Sequence, residues 1–273
     1  MSATPSEIAV TILGSGTCVP SLHRSSCSVL METGGQRLLF DSGPGTMRRL
    51  LETGTTIADI SYLCYSHFHP DHTGELVPFL FASKYPAGRG RSRPLWLLGG
   101  RGFRNFYEGL KAVYGHWIEL SPEVFSLREL DGDPLGAEAF DHFDLAFAAV
   151  AHSPESLAYR VTSRGGRTVV YSGDTDLSDN LVQLAHRADL LICEAAVPDG
   201  SEVPGHLTPS RAGDMASRAE VGALVLTHFY PECEATDIIG QCRRTYRGPL
   251  VLAEDHMRIR LDADGTLRQT EPS

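Results

Sequence analysis

Several things are scarce in this chain, and each scarcity removes a class. No apolar run approaches the roughly 18 residues of a membrane-crossing helix, so no membrane partner is expected. The first ten residues hold no basic stretch leading into an apolar one, and the expectation is a soluble, cytoplasmic protein. The six cysteines (Cys18, Cys27, Cys64, Cys193, Cys233, Cys242) never form a Cys-x-x-Cys pair, which argues against a zinc knuckle or a thioredoxin-type motif. They are predicted to be buried free thiols. Positive charge is also short: 24 Lys and Arg stand against 34 Asp and Glu, a net charge of -10, which disfavours whole-surface attraction to nucleic acid. Internal repeats, low-complexity linkers and long charge runs are missing. What remains, 273 residues of which 42% are hydrophobic, is enough for a sizeable core.

Apolar, β-rich runs predict strands at 8–13, 28–31, 37–40, 60–65, 95–98, 145–150, 158–161, 168–171, 190–193, 223–226 and 250–252. Helical patterns fall at 46–52, 73–83, 102–114, 177–186, 209–219 and 235–243. Thr208 is placed to cap the helix that Pro209 opens. The first third is strand-rich and later strands alternate with helices, so one α/β domain over residues 1–273 is expected. One segment departs from the acidic average. Residues 84–104 contain Lys84, Arg89, Arg91, Arg93, Arg101 and Arg104 and no acidic residue. It reads either as a solvated loop or as a landing strip for substrate phosphates, with Arg89, Arg91 and Arg93 as candidate contacts.

The chemistry concentrates in Ser66-His67-Phe68-His69-Pro70-Asp71-His72, where an apolar strand gives way to a helix. Imidazole nitrogens and a carboxylate are the ligands of Zn²⁺ and other first-row divalent ions. Four ligands so close in sequence do not easily converge on one tetrahedral ion. Two ions are therefore expected, His67 and His69 serving one, Asp71 and His72 the other.

This segment resembles the His-x-His-x-Asp-His signature of the metallo-β-lactamase superfamily. The resemblance continues in Ala151-His152-Ser153, in Ser172-Gly173-Asp174-Thr175 and in Leu226-Thr227-His228, each after an apolar strand. It implies that His152 completes the first site, that Asp174 bridges both, and that His228 completes the second. Gly14-Ser15-Gly16-Thr17 and Phe40-Asp41-Ser42-Gly43-Pro44-Gly45-Thr46 resemble the opening of the ribonuclease Z-like branch. Asp41 is then expected to orient a metal-binding loop without touching the ion, and the glycines to let backbone pack beneath the site. In the same branch a histidine placed like that of Gly205-His206-Leu207-Thr208 donates a proton near the scissile phosphate. Glu194, ending the strand upstream, is a candidate to orient His206.

The resemblance implies a four-layer αββα sandwich in the α/β (α+β) class and two divalent ions, with zinc expected and manganese or iron left open. Two such ions can share a water and make a bridging hydroxide that attacks phosphorus. His206 would act as general acid, and Asp71 would combine ligation with orienting the nucleophile. The chain also departs from the pattern. Ribonuclease Z carries a tRNA-binding arm between the third histidine and the bridging aspartate, whereas His152 and Asp174 leave room for little more than a hairpin. Pro44, Met47 and His256 stand where many relatives have Glu, Gln and Gly. The leading expectation is thus a compact, armless phosphodiesterase acting on RNA 3′ ends or a small phosphodiester, with homodimerisation open. A carboxylic ester, thioester or lactone hydrolase is the second reading, and a noncatalytic metal carrier the third.

Overall fold

The computed structural model describes residues 6–85 and 91–270. Its first sheet is built from β1 (Ile8–Gly14), β2 (Ser28–Thr33), β3 (Gln36–Phe40), β4 (Tyr62–Cys64), β5 (Leu95–Gly99), β6 (Phe125–Glu129), β14 (Arg258–Leu261) and β15 (Leu267–Thr270), in the order β15-β14-β1-β2-β3-β4-β5-β6. The second contains β7 (Leu135–Ala139), β8 (Phe143–Ala149), β9 (Leu157–Ser163), β10 (Thr168–Tyr171), β11 (Leu190–Glu194), β12 (Leu224–Thr227) and β13 (Leu250–Leu252), in the order β13-β12-β11-β10-β9-β8-β7. Both sheets are mixed. Strands β3 to β6 pair in parallel, as do β10 to β13, while β1 to β3 and β7 to β10 pair antiparallel.

Among the described residues the α-helices are α1 (Thr46–Glu52), α2 (Pro70–Thr73), α3 (Leu76–Lys84), α4 (Phe103–Tyr114), α5 (Asp179–Leu184), α6 (Pro209–Arg218) and α7 (Ile238–Cys242). Successive strand residues point to opposite faces, so each central strand feeds two cores. Ile12, Met31 and Phe40 meet Tyr159, Tyr171 and Ile192 between the sheets. Their neighbours Leu30, Leu39 and Leu63 pack instead with Leu80 of α3 and Phe103 of α4. On the far side Leu191, Cys193 and Leu226 pack against Leu181 of α5 and Met215 of α6. Three apolar layers between four structural ones give the expected αββα sandwich. Strands buried on both faces explain why their sequences read as continuous apolar runs.

Several local expectations need correcting. Four strands escaped the search for apolar runs: β6, β7, β14 and β15. Residues 73–83 do not form one helix, because α2 ends at Thr73 and α3 begins at Leu76. Residues 235–243 split into the end of a 3-10 turn (Pro231–Ala235) and α7, whose first turn is capped by Asp237 accepting from the Gly240 amide at 2.8 Å. Thr208 does stand at the N-cap of α6, but its side chain makes no capping hydrogen bond. All six cysteines are free, and five are buried; Cys18 is exposed. Among the described residues no helix is long and apolar enough to cross a membrane. The interval between His152 and Asp174 is filled by the β9–β10 hairpin.

Candidate metal centre

Five strands of the two sheets, β3, β4, β10, β11 and β12, direct their C-terminal ends at one place. Parallel strands leave their connecting loops together at one sheet edge, which is where α/β proteins gather functional side chains. Asp41 follows β3, Ser66 to His72 follow β4, Asp174 follows β10, Glu194 ends β11 and His228 follows β12. His152 arrives from the turn after β8. Loop backbones must pass close beneath this cluster, and glycine permits it: a Cβ on Gly43 would lie 2.0 Å from the Asp71 carbonyl oxygen.

The ligand atoms fall into two groups that meet at Asp174. Those of His67, His69, His152 and Asp174 lie within 4.8 Å of one another, and so do those of Asp71, His72 and His228. His67 Nε2 and His152 Nε2 stand 3.6 and 3.9 Å from Asp174 Oδ2, and His69 Nδ1 is 3.2 Å from His152 Nε2. On the other side His72 Nε2 and His228 Nε2 are each 3.3 Å from Asp174 Oδ1, and Asp71 Oδ2 is 3.9 and 3.8 Å from the same two nitrogens. Ligands held about 2.05 Å from a tetrahedral ion are about 3.4 Å apart, so these separations suit metal coordination. Two further features fit a cation. His67 Nε2 and Asp174 Oδ1 are buried without a hydrogen-bond partner, an arrangement that costs stability unless something else satisfies them. The donors are nitrogen and oxygen, as first-row divalent ions prefer.

The electrostatics point the same way. Burial and then the neighbouring His72 push His67 down to about 2, which keeps its imidazole neutral as a ligand must be. Burial also lowers His152. Burial would raise Asp71, but His228 and His72 outweigh it and hold the carboxyl at about 2. For His72 burial again works against charge, yet the carboxylates of Asp174 and Asp41 pull it well above the usual histidine value. Two carboxylates therefore demand positive charge at this point, and a divalent cation supplies it as well as a proton does.

Asp41 stands behind the ligands. It is fully buried and accepts from the Ser66 amide and hydroxyl at 2.7 Å each, from His72 Nδ1 at 2.8 Å and from the Tyr171 hydroxyl at 2.7 Å. Holding the proton of His72 on Nδ1 leaves Nε2 free to face the cluster. His152 is oriented in the same manner, by donating Nδ1–H to the Gly205 carbonyl at 2.8 Å. Asp41 and His228 both adopt positive φ, 58° and 61°, a strained conformation for residues other than glycine.

His206 lies beside both groups, with ring centroids 4.9 Å from His152 and 5.7 Å from His228, on which it stacks at 14°. Its Nδ1 is 3.0 Å from Glu194 Oε1, and Glu194 also accepts from the amides of Thr175 and Leu207 at 2.7 and 3.2 Å. Burial would lower His206, but the Glu194 hydrogen bond and charge outweigh it and raise the imidazole to about 9.

A family model described as the Metallo-beta-lactamase superfamily matches residues 23–229. The chain belongs to that superfamily. Among members of the superfamily, ribonuclease Z of Thermobifida fusca is 26% identical, over 91% of this chain and 93% of its own length. The metallo-beta-lactamase fold protein YhfI from Bacillus subtilis superposes with a TM-score of 0.78 at 22% identity, covering 93% of this chain and 99% of that one. The short form of human tRNase Z superposes at 0.75 with 26% identity, over 92% and 98%. The chain is thus a metallo-β-lactamase-superfamily hydrolase carrying a His/Asp cluster suited to metal.

Arg91 and Arg93 do not stand at this centre. Arg89 lies outside the described residues. The candidate substrate role of Arg91 is corrected: its guanidinium is buried and donates to the carbonyls of Ile57, Ile60, Arg93 and Pro94. Arg93 precedes the N-terminal end of β5, the sheet edge opposite the cluster, and lies 3.5 Å from Asp59. Residues that sequence reasoning missed are Tyr171 and Ser66, both bound to Asp41, and Tyr230, whose ring stands edge-on to His206 and His228. Tyr230 sits two residues beyond a ligand at a strand end, a signal that was available; Tyr171 reads only as an apolar strand residue.

Proposed function

We propose that this protein is a phosphodiesterase of the ribonuclease Z type, working with two divalent ions, zinc first among them. The observation that carries the reading is His206, whose Nδ1 lies 3.0 Å from Oε1 of buried Glu194 and whose ring is set against His152 of one ligand group and His228 of the other. His67, His69 and His152 would hold one ion, Asp71, His72 and His228 the other, and Asp174 both. When bound, ions of this kind bring the pKa of water towards neutrality and offset the charge that grows on a phosphoryl group.

The chain's own groups supply the rest. Water attacks phosphorus while the bond to the departing alkoxide breaks. With Nδ1 turned to Glu194, His206 presents Nε2, and the proton there passes to the alkoxide oxygen. The ionised Asp71 carboxylate can orient the attacking water, whose proton passes to solvent. Asp41 keeps His72 in the tautomer that ligates, and Glu194 keeps His206 in the state that donates.

Between the two substrate classes, the observations favour a small phosphodiester over an RNA end. The β9–β10 hairpin leaves no arm in the interval, and two of the arginines that suggested a polyanion, Arg91 and Arg93, are engaged with local partners. The deciding experiment compares a bis(p-nitrophenyl) phosphate, a dinucleotide with an alkyl leaving group, and a carboxylic ester, using zinc-reconstituted and chelator-treated protein and His206→Ala. Diester hydrolysis that needs metal, with a loss of about 10² to 10⁴ in His206→Ala on the alkyl leaving group, is expected. Turnover of the carboxylic ester alone, indifferent to His206, would overturn the reading in favour of an esterase or lactonase. Zinc binding without turnover of any substrate would point to a carrier.

A further inference from the structure

Asp176 belongs to none of the ligand groups, yet its polar atoms tie the loop that carries His206 to α6 and to the turn that carries His152. Its Oδ2 accepts from the Gly205 amide at 3.4 Å. Its Oδ1 accepts from the Leu177 amide at 2.8 Å and from Arg211 Nη1 on α6 at 3.2 Å. Its own amide donates to the carbonyl of Ala151, the residue before His152, at 2.8 Å. The Gly205 peptide is therefore held on two sides: its N–H by Asp176, and its carbonyl by His152 Nδ1 at 2.8 Å. The next residue, His206, is fixed in turn by Glu194. Only glycine fits between these anchors. Gly205 has φ +86°, and a Cβ there would lie 2.9 Å from His152 Nδ1.

We propose that Asp176 is a positioning residue that, through the Gly205 peptide, fixes the ligand His152 and the proton donor His206 as one unit. The reason is geometric. A ligand histidine is aimed by the partner of its second nitrogen, and here that partner is a backbone carbonyl in a loop, free to move unless its other side is held. Asp176 holds that side, and Arg211 fixes Asp176 to α6. A shift of the 205–206 segment consequently changes His152 and His206 together, so the site that binds the ion and the group that delivers the proton keep a set spacing.

The inference rests on the phosphodiesterase reading for its kinetic consequence but not for its structural one, and the test separates them. In Asp176→Asn the remaining carbonyl oxygen can face Gly205 or the Arg211 and Leu177 side, not both. Full-length Asp176→Asn and His206→Ala are compared with wild type on two diesters, one releasing p-nitrophenolate, which needs no proton, and one releasing an alkoxide, which does. Hydrogen exchange of the amides of Val203, Gly205, His206 and Leu207 is followed in chelator-treated protein. Expected for Asp176→Asn is a fall in kcat of about tenfold with the alkoxide and less than about twofold with p-nitrophenolate, KM unchanged, and faster exchange confined to 203–207. Gly205→Ala approaches the same unit from the other side, and should release zinc to a competing chelator more readily than wild type. Equal losses on both leaving groups, or unaltered exchange at 203–207, would overturn the role given to Asp176. Should His206→Ala itself show no dependence on the leaving group, the phosphodiesterase reading fails, and the exchange result still decides the positioning claim.

Discussion

Asp41→Asn alters little more than one charge, and its consequences can be followed atom by atom. The position is fully buried with φ 58°, a conformation asparagine tolerates better than any residue except glycine, so backbone strain stays as it is. Four donors converge on the carboxylate: the Ser66 amide and hydroxyl, the Tyr171 hydroxyl and His72 Nδ1. One amide oxygen still serves the Ser66 N–H. The two hydroxyls can rotate and accept from the new NH₂ group. His72 can adapt only by exchanging tautomers, which moves its proton to Nε2, the atom facing Asp174 and His228. Folding should lose about the 1.5–3 kcal/mol of one charge-assisted hydrogen bond. Zinc affinity should fall about 10- to 100-fold, the usual effect of losing a partner behind a ligand, or about 1.4–2.8 kcal/mol. Competition against a chromophoric chelator measures the second quantity, and denaturant unfolding of metal-free protein the first. A variant that unfolds more easily yet holds zinc as tightly as wild type would refute the tautomer argument.

Two other substitutions probe groups of opposite kinds. Glu194 raises His206 to about 9 against the effect of burial, so under the proposed mechanism activity persists below that pH and is lost as pH rises through it. Glu194→Gln removes the raising charge, and the alkaline limb of the rate profile should move to lower pH; an unmoved limb would separate Glu194 from proton delivery. Arg91→Met leaves four carbonyls without this donor and should cost about 2–4 kcal/mol in denaturant unfolding while kcat and KM stay at wild-type values. A raised KM at unchanged stability would return Arg91 to the substrate.

How much of this was legible in the sequence depended on how local the signal is. The candidate ligands stood out because each follows a strand within a short motif, and four of them fall within residues 67–72. The central strands were readable because burial on both faces makes them uniformly apolar. The missed strands are those whose burial is one-sided or slight: in β14 Arg258 and Arg260 alternate with buried Ile259 and Leu261, and in β7 the sequence Leu-Gly-Ala-Glu-Ala has little β-propensity and lies at a sheet edge. A search for continuous apolar runs passes over such alternation. Arg91 misled for the reverse reason: composition marks it as surface charge, and only the fold shows the carbonyls of two backbone segments, 57–60 and 93–94, converging on its guanidinium. Asp176 and Gly205 carry no local signature, since their contacts join segments that are remote in sequence.

The order of strands in the first sheet bears on how the molecule reaches its native state. β1 is flanked by β2, its immediate successor, and by β14, which follows every strand of the second sheet in the chain. Until β14 arrives, the outer edge of β1 has no hydrogen-bonding partner, and such edges recruit other chains. Closing this pairing spans most of the polypeptide, which raises contact order and slows folding. The first sheet is therefore completed only by strands that follow the whole of the second in the chain.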